Sequence, residues 1–196
     1  MVLSSTELSE KDNFFLDIAF DLAHEAIAHD EVPVGCVFVV NDKEIARGRN
    51  DVNRSKNPTR HAEMVALDKL KTYCLSSGQT LEALLVETTL YVSLEPCIMC
   101  ACALYHLRIR RIIYGAANER FGGLNSVGSR EKYGIDHNIE IVPDVRKSDA
   151  VKLLKLFYER QNPFCPEEKR KMKKKKVVSN LVFLIGCIIQ CFHHFE

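Results

Sequence analysis

The chain is poor in the residues that mark non-globular proteins. Its 196 residues include only 9 glycines and 6 prolines, which excludes collagen-like and low-complexity architectures. It lacks an excess of either charge. The 27 basic and 26 acidic groups leave a net charge of +1, so the chain as a whole is not a strongly basic nucleic-acid binder. No internal repeat is present. Residues 1–12, MVLSSTELSEKD, have neither a basic start nor an apolar core, so export is not expected and the eight cysteines are expected to be reduced. Reduced thiols turn attention to metal binding or catalysis. What is there, 46% apolar and 27% charged residues, fits one globular domain with a buried core and a tail.

The balanced total hides an asymmetry. Residues 1–166 carry 20 basic and 23 acidic side chains, whereas residues 167–196 carry 7 and 3. The seven basic groups fall in KRKMKKKK, which comprises Lys169, Arg170, Lys171, Lys173, Lys174, Lys175 and Lys176. A dense positive segment on a mildly acidic body suits phosphate contact or targeting, or is a solvated tail. The expected organisation is a domain over 1–166, a basic segment over 167–176 and an apolar tail over 177–196.

Ser9 and Asp12 resemble a capping box. Phe15, Ile18, Ala19, Leu22 and Ala26 then repeat at helical spacing, with Pro33 beyond the helix end. The β-branched run Val34–Val40 predicts a buried strand. Asn41-Asp42 predicts a turn into a second strand, Lys43–Arg49. Further helices are expected over Ala62–Tyr73, over Cys97–His106 and from Asp149 to about Gln161. The last is expected to be capped by Ser148, with Val151, Leu154 and Phe157 on its apolar face. Further strands are expected at Thr89–Leu94, Arg111–Tyr114 and Ile139–Val142. Residues 115–135 read as a long functional loop. Helical crossovers between strands imply a partly parallel sheet. The fold class is therefore α/β, a three-layer α/β/α sandwich around a five-stranded mixed sheet.

Two helix starts carry the chemistry: Thr59-Arg60-His61-Ala62-Glu63 and Glu95-Pro96-Cys97-Ile98-Met99-Cys100. Cys97 and Cys100 have the spacing of two thiolates on one Zn²⁺, and a helix N-terminus favours the thiolate form. His61 supplies a third ligand. Three protein ligands leave one position open, the mark of a catalytic site. A regular helix would set His61 and Glu63 about 200° apart, so His61 is expected at the cap, outside helical geometry. Glu63 is then expected to take a proton from a metal-activated water, pass one to a ring nitrogen and protonate the departing amine. A structural zinc knuckle would need a fourth ligand from Cys102, Cys74 or His106, and a redox pair would not need His61 or Glu63. Cys102 is expected in the core. His24, His29, His106 and His137 receive no role.

H-x-E with P-C-x-x-C is the signature of zinc nucleobase deaminases. The blocks Glu31-Val-Pro-Val-Gly35, Gly48-Arg-Asn50, Thr59–Glu63, Leu94–Cys100 and Tyr114-Gly115 followed by Asn118–Gly123 resemble the tRNA-specific adenosine deaminases. The last of these points to the eukaryotic catalytic subunit. The resemblance covers about residues 12–162. It implies a cytidine-deaminase-like fold, one Zn²⁺, deamination of adenosine to inosine at the tRNA wobble position, and a heterodimer with a related subunit lacking the catalytic glutamate. It implies that Asn50 bonds the flipped base, that Val32 and Pro33 line its pocket, and that the Ala62 N–H helps to hold the purine. The expected place of action is the nucleus and cytoplasm. Arg120, Arg130 and the 169–176 run are candidate phosphate contacts, and Arg108, Arg110 and Arg111 could serve the dimer. The alternatives are a cytidine-type deaminase and a non-catalytic RNA-binding scaffold.

The end of the chain departs from that resemblance. Val177–Phe192 is apolar and uncharged. As a helix it would reach about 24 Å, short of a bilayer core of about 30 Å. A packed or partner-binding segment, or an altered carboxyl end, is favoured over a membrane anchor.

Overall fold

The structure, a computed structural model, describes residues 8–160. The basic run Lys169–Lys176, the apolar segment after it and the boundaries drawn at 166 and 176 lie outside the described residues. Helix α1 (Glu10–Ala28) begins as expected, with the Ser9 side chain accepting from the Asp12 N–H and Asp12 reaching back to Ser9. It ends well before Pro33, at His29, where Asp30 turns left-handed with φ 58°.

Strand β1 (Gly35–Val40) turns into β2 (Lys43–Arg49) through Asn41 and Asp42, at φ 48° and 60°. Positive φ at both central residues is the hairpin geometry whose twist matches the flanking strands, and Asn and Asp tolerate it. Helix α3 (Ala62–Ser77) precedes β3 (Thr89–Val92), and α5 (Ile98–His106) leads to β4 (Arg111–Tyr114). Strand β5 (Glu140–Val142) and helix α6 (Lys147–Glu159) complete the fold. Two short helices, α2 (Val52–Ser55) and α4 (Leu81–Leu85), and a 3₁₀ turn at Glu131–Tyr133 interrupt segments expected to be loops.

The sheet order is β2-β1-β3-β4-β5. The β1–β2 and β1–β3 pairs are antiparallel, and β3–β4 and β4–β5 are parallel. This is the expected mixed sheet, with helices on both faces. Along β1, Cys36 and Phe38 pack with α3 and α5, while Val37 and Val39 pack with Phe15, Leu16 and Ala19 of α1. Leu90, Val92, Ile112 and Tyr114 repeat the first alternation, and Tyr91 and Ile113 the second. Period-two side chains thus fill both layers, which is why the central strands read as unbroken apolar runs. Tyr91 Oη donates to Asp12 Oδ1 at 2.7 Å and Arg111 donates to the same atom at 3.1 Å. Burial alone would raise the Asp12 pKa, but the bonds from Tyr91 and Ser9 and the Arg111 charge hold it below the usual carboxylate value.

The last helix differs from expectation. It starts at Lys147 and Arg146 occupies the cap position, so Ser148 lies inside it. The Arg146 N–H donates to Gly115 O at 3.0 Å and its guanidinium stands 4.3 Å over the Phe20 ring. These tertiary contacts set the start of the helix, overriding the local capping preference of serine. Its buried residues are Ala150 and Leu153, packed with Phe20, Ala23 and Ala116. Val151, Leu154 and Phe157 are only half-buried.

Helix α3 lies hard against β2. A Cβ on Gly48 would fall 2.3 Å from Ala62 O and 2.8 Å from Ala66 N, both backbone atoms. Gly48→Ala is therefore expected to push the first turn of α3 off the sheet. The expected loss is about 1–3 kcal/mol of stability, read by urea denaturation, with weaker metal retention under chelator challenge.

Candidate active site

His61 is the N-cap of α3, with φ −70° and ψ 160°, and Cys97 is the N-cap of α5, with φ −67° and ψ 170°. Both are extended residues just outside a helix. That places His61 off the helical spiral and lets its ring and the Glu63 carboxyl share one pocket, the arrangement the H-x-E spacing demanded. Cys100 follows in the first turn of α5. The Cys97 and Cys100 Sγ atoms stand 3.4 and 3.6 Å from His61 Nδ1. The three ligand atoms all lie within 4.8 Å of one another and, among the described residues, form the one such cluster. Cys74, Cys102 and His106 do not join it, so no knuckle forms, and Cys102 is half-buried and not in the core.

The donor set fits zinc. With Zn–N of about 2.1 Å and Zn–S of about 2.3 Å, a tetrahedral site has N···S edges of about 3.6 Å. The electrostatics agree. The Cys97 thiol is pulled down to about 4, foremost by the hydrogen bond from Cys100 and further by His61. Cys100 is pushed up, foremost by its bond to Cys97, then by burial and by Glu63. Both thiols lie at the start of α5, whose N-terminus favours the thiolate form that a dication would neutralise.

Glu63 is 2% exposed. Burial pushes its carboxyl up to about 7. It interacts with Cys100 but stands outside the three-ligand group. A carboxyl that titrates near neutrality in a cleft is suited to exchange protons.

The site opens into a cavity of about 840 Å³. Val32, Val34, Asn50, His61 and Glu63 line its inner part, with Leu94 and Cys97. Asn118, Arg120 and Phe121 form a second wall, and Lys147, Val151 and Leu154 of α6 a third. Pro33 is not a lining residue and Val34 takes that place. The Ala62 N–H is not free for a ligand either, because it donates to Asn50 Oδ1 at 3.0 Å. That bond uses the acceptor of the Asn50 amide and leaves its NH₂ to meet a base. Arg130 is not on the cavity. It pairs with Glu131 at 3.1 Å and donates to Asn138. Arg110 donates to Thr89 Oγ1 at 3.1 Å, and Arg111 pairs with Asp12 and Glu140 at 3.1 and 2.9 Å. Arg108 stands 3.8 Å from Asp136.

Three ligands at the starts of two helices, a buried carboxyl beside them and a cavity roomy enough for a nucleoside define a zinc-dependent hydrolytic deaminase. The chain belongs to the cytidine and deoxycytidylate deaminase family, whose zinc-binding region model matches residues 9–116. It is 46% identical over 154 residues to tRNA-specific adenosine deaminase 2 of Danio rerio, covering 77% of this chain and 72% of that protein. It is 39% identical over 170 residues to tRNA-specific adenosine deaminase 2 of Xenopus tropicalis, covering 85% and 100%. One similar solved structure comes from biochemical and structural studies of A-to-I editing by tRNA:A34 deaminases at the wobble position of transfer RNA. It has TM-score 0.62 and 32% identity, covering 72% of this chain and 99% of that one. A guanine deaminase from Nitrosomonas europaea, at TM-score 0.61 and 20% identity, shares the fold.

Unfolded glutamate ionises near pH 4.5 and Glu63 near 7. Between these values the folded chain holds the extra proton, so the contribution of Glu63 to stability falls as pH rises. In metal-free protein Glu63→Gln removes that fall. Its stability relative to the parent is expected to grow across pH 4.5–7, by up to about 3 kcal/mol, as read by urea denaturation with chelator present.

Proposed function

We propose that the chain is the catalytic subunit of a tRNA-specific adenosine deaminase, converting adenosine to inosine at the wobble position in a heterodimer with a related subunit. The observation that carries this reading is the buried Glu63 carboxyl beside the His61, Cys97 and Cys100 cluster, at the floor of a cavity with Asn50 on its wall. The names of the Danio and Xenopus relatives and of the tRNA:A34 structure support the choice of adenosine over cytidine.

The reaction consumes water and releases ammonia. His61, Cys97 and Cys100 would hold the zinc, whose chemistry when bound is to lower the pKa of a coordinated water toward neutrality. Glu63 takes the proton from the attacking water and hands it to the ring nitrogen next to the reacting carbon. It then takes the proton of the hydroxyl newly formed on that carbon and delivers it to the amine, so that the C–N bond breaks, ammonia leaves and a carbonyl remains. One group serves as base and then acid, so it must be held within reach of both the water and the purine. The Asn50 NH₂ donates to the purine edge, and Val32, Val34 and Leu94 offer apolar contact to its faces while excluding water. An anticodon loop suits the site because its bases are already unpaired and one is cheaply turned out. Arg120 and Lys147 on the cavity rim, and the Lys169–Lys176 run, are assigned to phosphates. The subunit is assigned to the nucleus and cytoplasm.

The test is an inosine assay on tRNA with the partner subunit present. Uridine formed from cytidine instead would overturn the reading. Glu63→Ala is expected to keep its zinc and lose about 10²–10⁴-fold in turnover. Unchanged turnover would reject the proton shuttle. Deleting residues 169–196 is expected to weaken tRNA binding and flatten its salt dependence, by a slope of about 0.7 for each lost phosphate contact on single-stranded RNA. Titrating binding against salt concentration reads this directly.

A further inference from the structure

Glu95 is 1% exposed, and no lysine, arginine or histidine pairs with it among the described residues. A carboxylate removed from water without a cation is stabilised only by hydrogen-bond donors. Here every donor comes from one loop. Glu95 Oε1 accepts from the N–H groups of Leu124, Asn125 and Ser126 at 3.1, 2.8 and 3.1 Å. Oε2 accepts from the Asn118 N–H at 2.9 Å and from the Ser126 hydroxyl. All of these are donors, so the carboxyl is bound as the pure acceptor, its ionised form.

The loop has no strand or helix of its own between 118 and 128. Removing Glu95 would strand four of its N–H groups. The same loop is laced to the segment bearing the first thiol. Ile98 N donates to Phe121 O at 2.9 Å and Gly123 N donates to Pro96 O at 2.8 Å. Gly122 is forced by this packing, since a Cβ there would fall 2.2 Å from Glu95 Oε2. The loop also supplies Asn118, Glu119, Arg120 and Phe121 to the cavity wall, which Glu95 joins beside its hydrogen bond from Asn118. Glu95 thus ties that wall to the chain two residues before Cys97.

We propose that Glu95 is a positioning residue that fixes the 118–121 wall of the substrate cavity, so that it governs how substrate is held and leaves the chemical step alone. This rests on the deaminase function proposed above. Its role is separable from that of Glu63, because both of its oxygens are taken up by donors of the loop and it is not part of the His61, Cys97 and Cys100 group.

The test uses the zinc-loaded full chain with its partner subunit. Inosine formation by the parent complex checks the functional reading by itself. Glu95→Gln, which presents an NH₂ to a ring of donors, is expected to raise KM for tRNA about tenfold, with kcat changed less than threefold and zinc content unchanged. Gly122→Ala is expected to give the same split, and the double variant to be no worse than the poorer single one. Hydrogen exchange, which needs no activity, is expected to show lost protection at residues 118 and 124–126 with β1 and α1 unaffected. Should Glu95→Gln fail to fold, Ser126→Ala removes one donor and is expected to raise KM in the same sense. Unchanged loop protection, an unchanged KM, a fall in kcat alone, or loss of zinc would each overturn the proposal.

Discussion

Everything in this molecule depends on two helix N-termini being aimed at one point. Helices α3 and α5 each begin with a residue in extended geometry, and those residues are His61 and Cys97. An N-cap side chain is normally spent on the orphan N–H groups of its own helix. Neither His61 nor Cys97 caps in that way, so the ring and the thiol are left for each other and for a metal. The partial positive charge of both helix ends then falls on the atoms that must carry negative charge.

The mixed sheet is what makes the meeting possible. The antiparallel β1–β2 hairpin delivers the chain to the loop before α3, and the parallel β3–β4 pair requires a crossover, which is α5. Both helices lie on the same face and share one apolar cluster with Cys36, Phe38, Leu90 and Val92. The close approach at Gly48 fixes the depth of α3 against the sheet. The zinc site is therefore set by the packing of the layer beneath it, and only its outer walls belong to irregular chain.

Much of this was legible in the residues. The Ser9–Asp12 cap, the Asn41-Asp42 turn, the five strands and the His61, Cys97 and Cys100 set all follow from local chemistry and period. The rest was decided by contacts between segments distant in the chain. Helices α2 and α4 have four and five residues, too few to show a period. Ser148 looked like a cap, but Arg146 is claimed by Phe20 and Gly115 from elsewhere in the chain. Pro33 and Val34 are neighbours, and only the β1 alternation decides which meets the cavity. Glu95 received no role from its motif. The signal was there, a lone carboxylate three residues after the apolar strand β3, but its five donors lie more than twenty residues further on.

The bond between Asn50 and the Ala62 N–H ties the residue after β2 to the first residue of α3. The amide proposed to meet the base is fastened to the peptide next to His61, so a base and an ion bound there would share a common anchorage. By thermodynamic reciprocity, whatever factor the ion adds to affinity for the base, the base must return to affinity for the ion. If the ion strengthens the hold on a purine, a purine seated in the cleft would strengthen the hold on the ion by the same factor, and an enzyme at work would be harder to demetallate at equilibrium than one at rest.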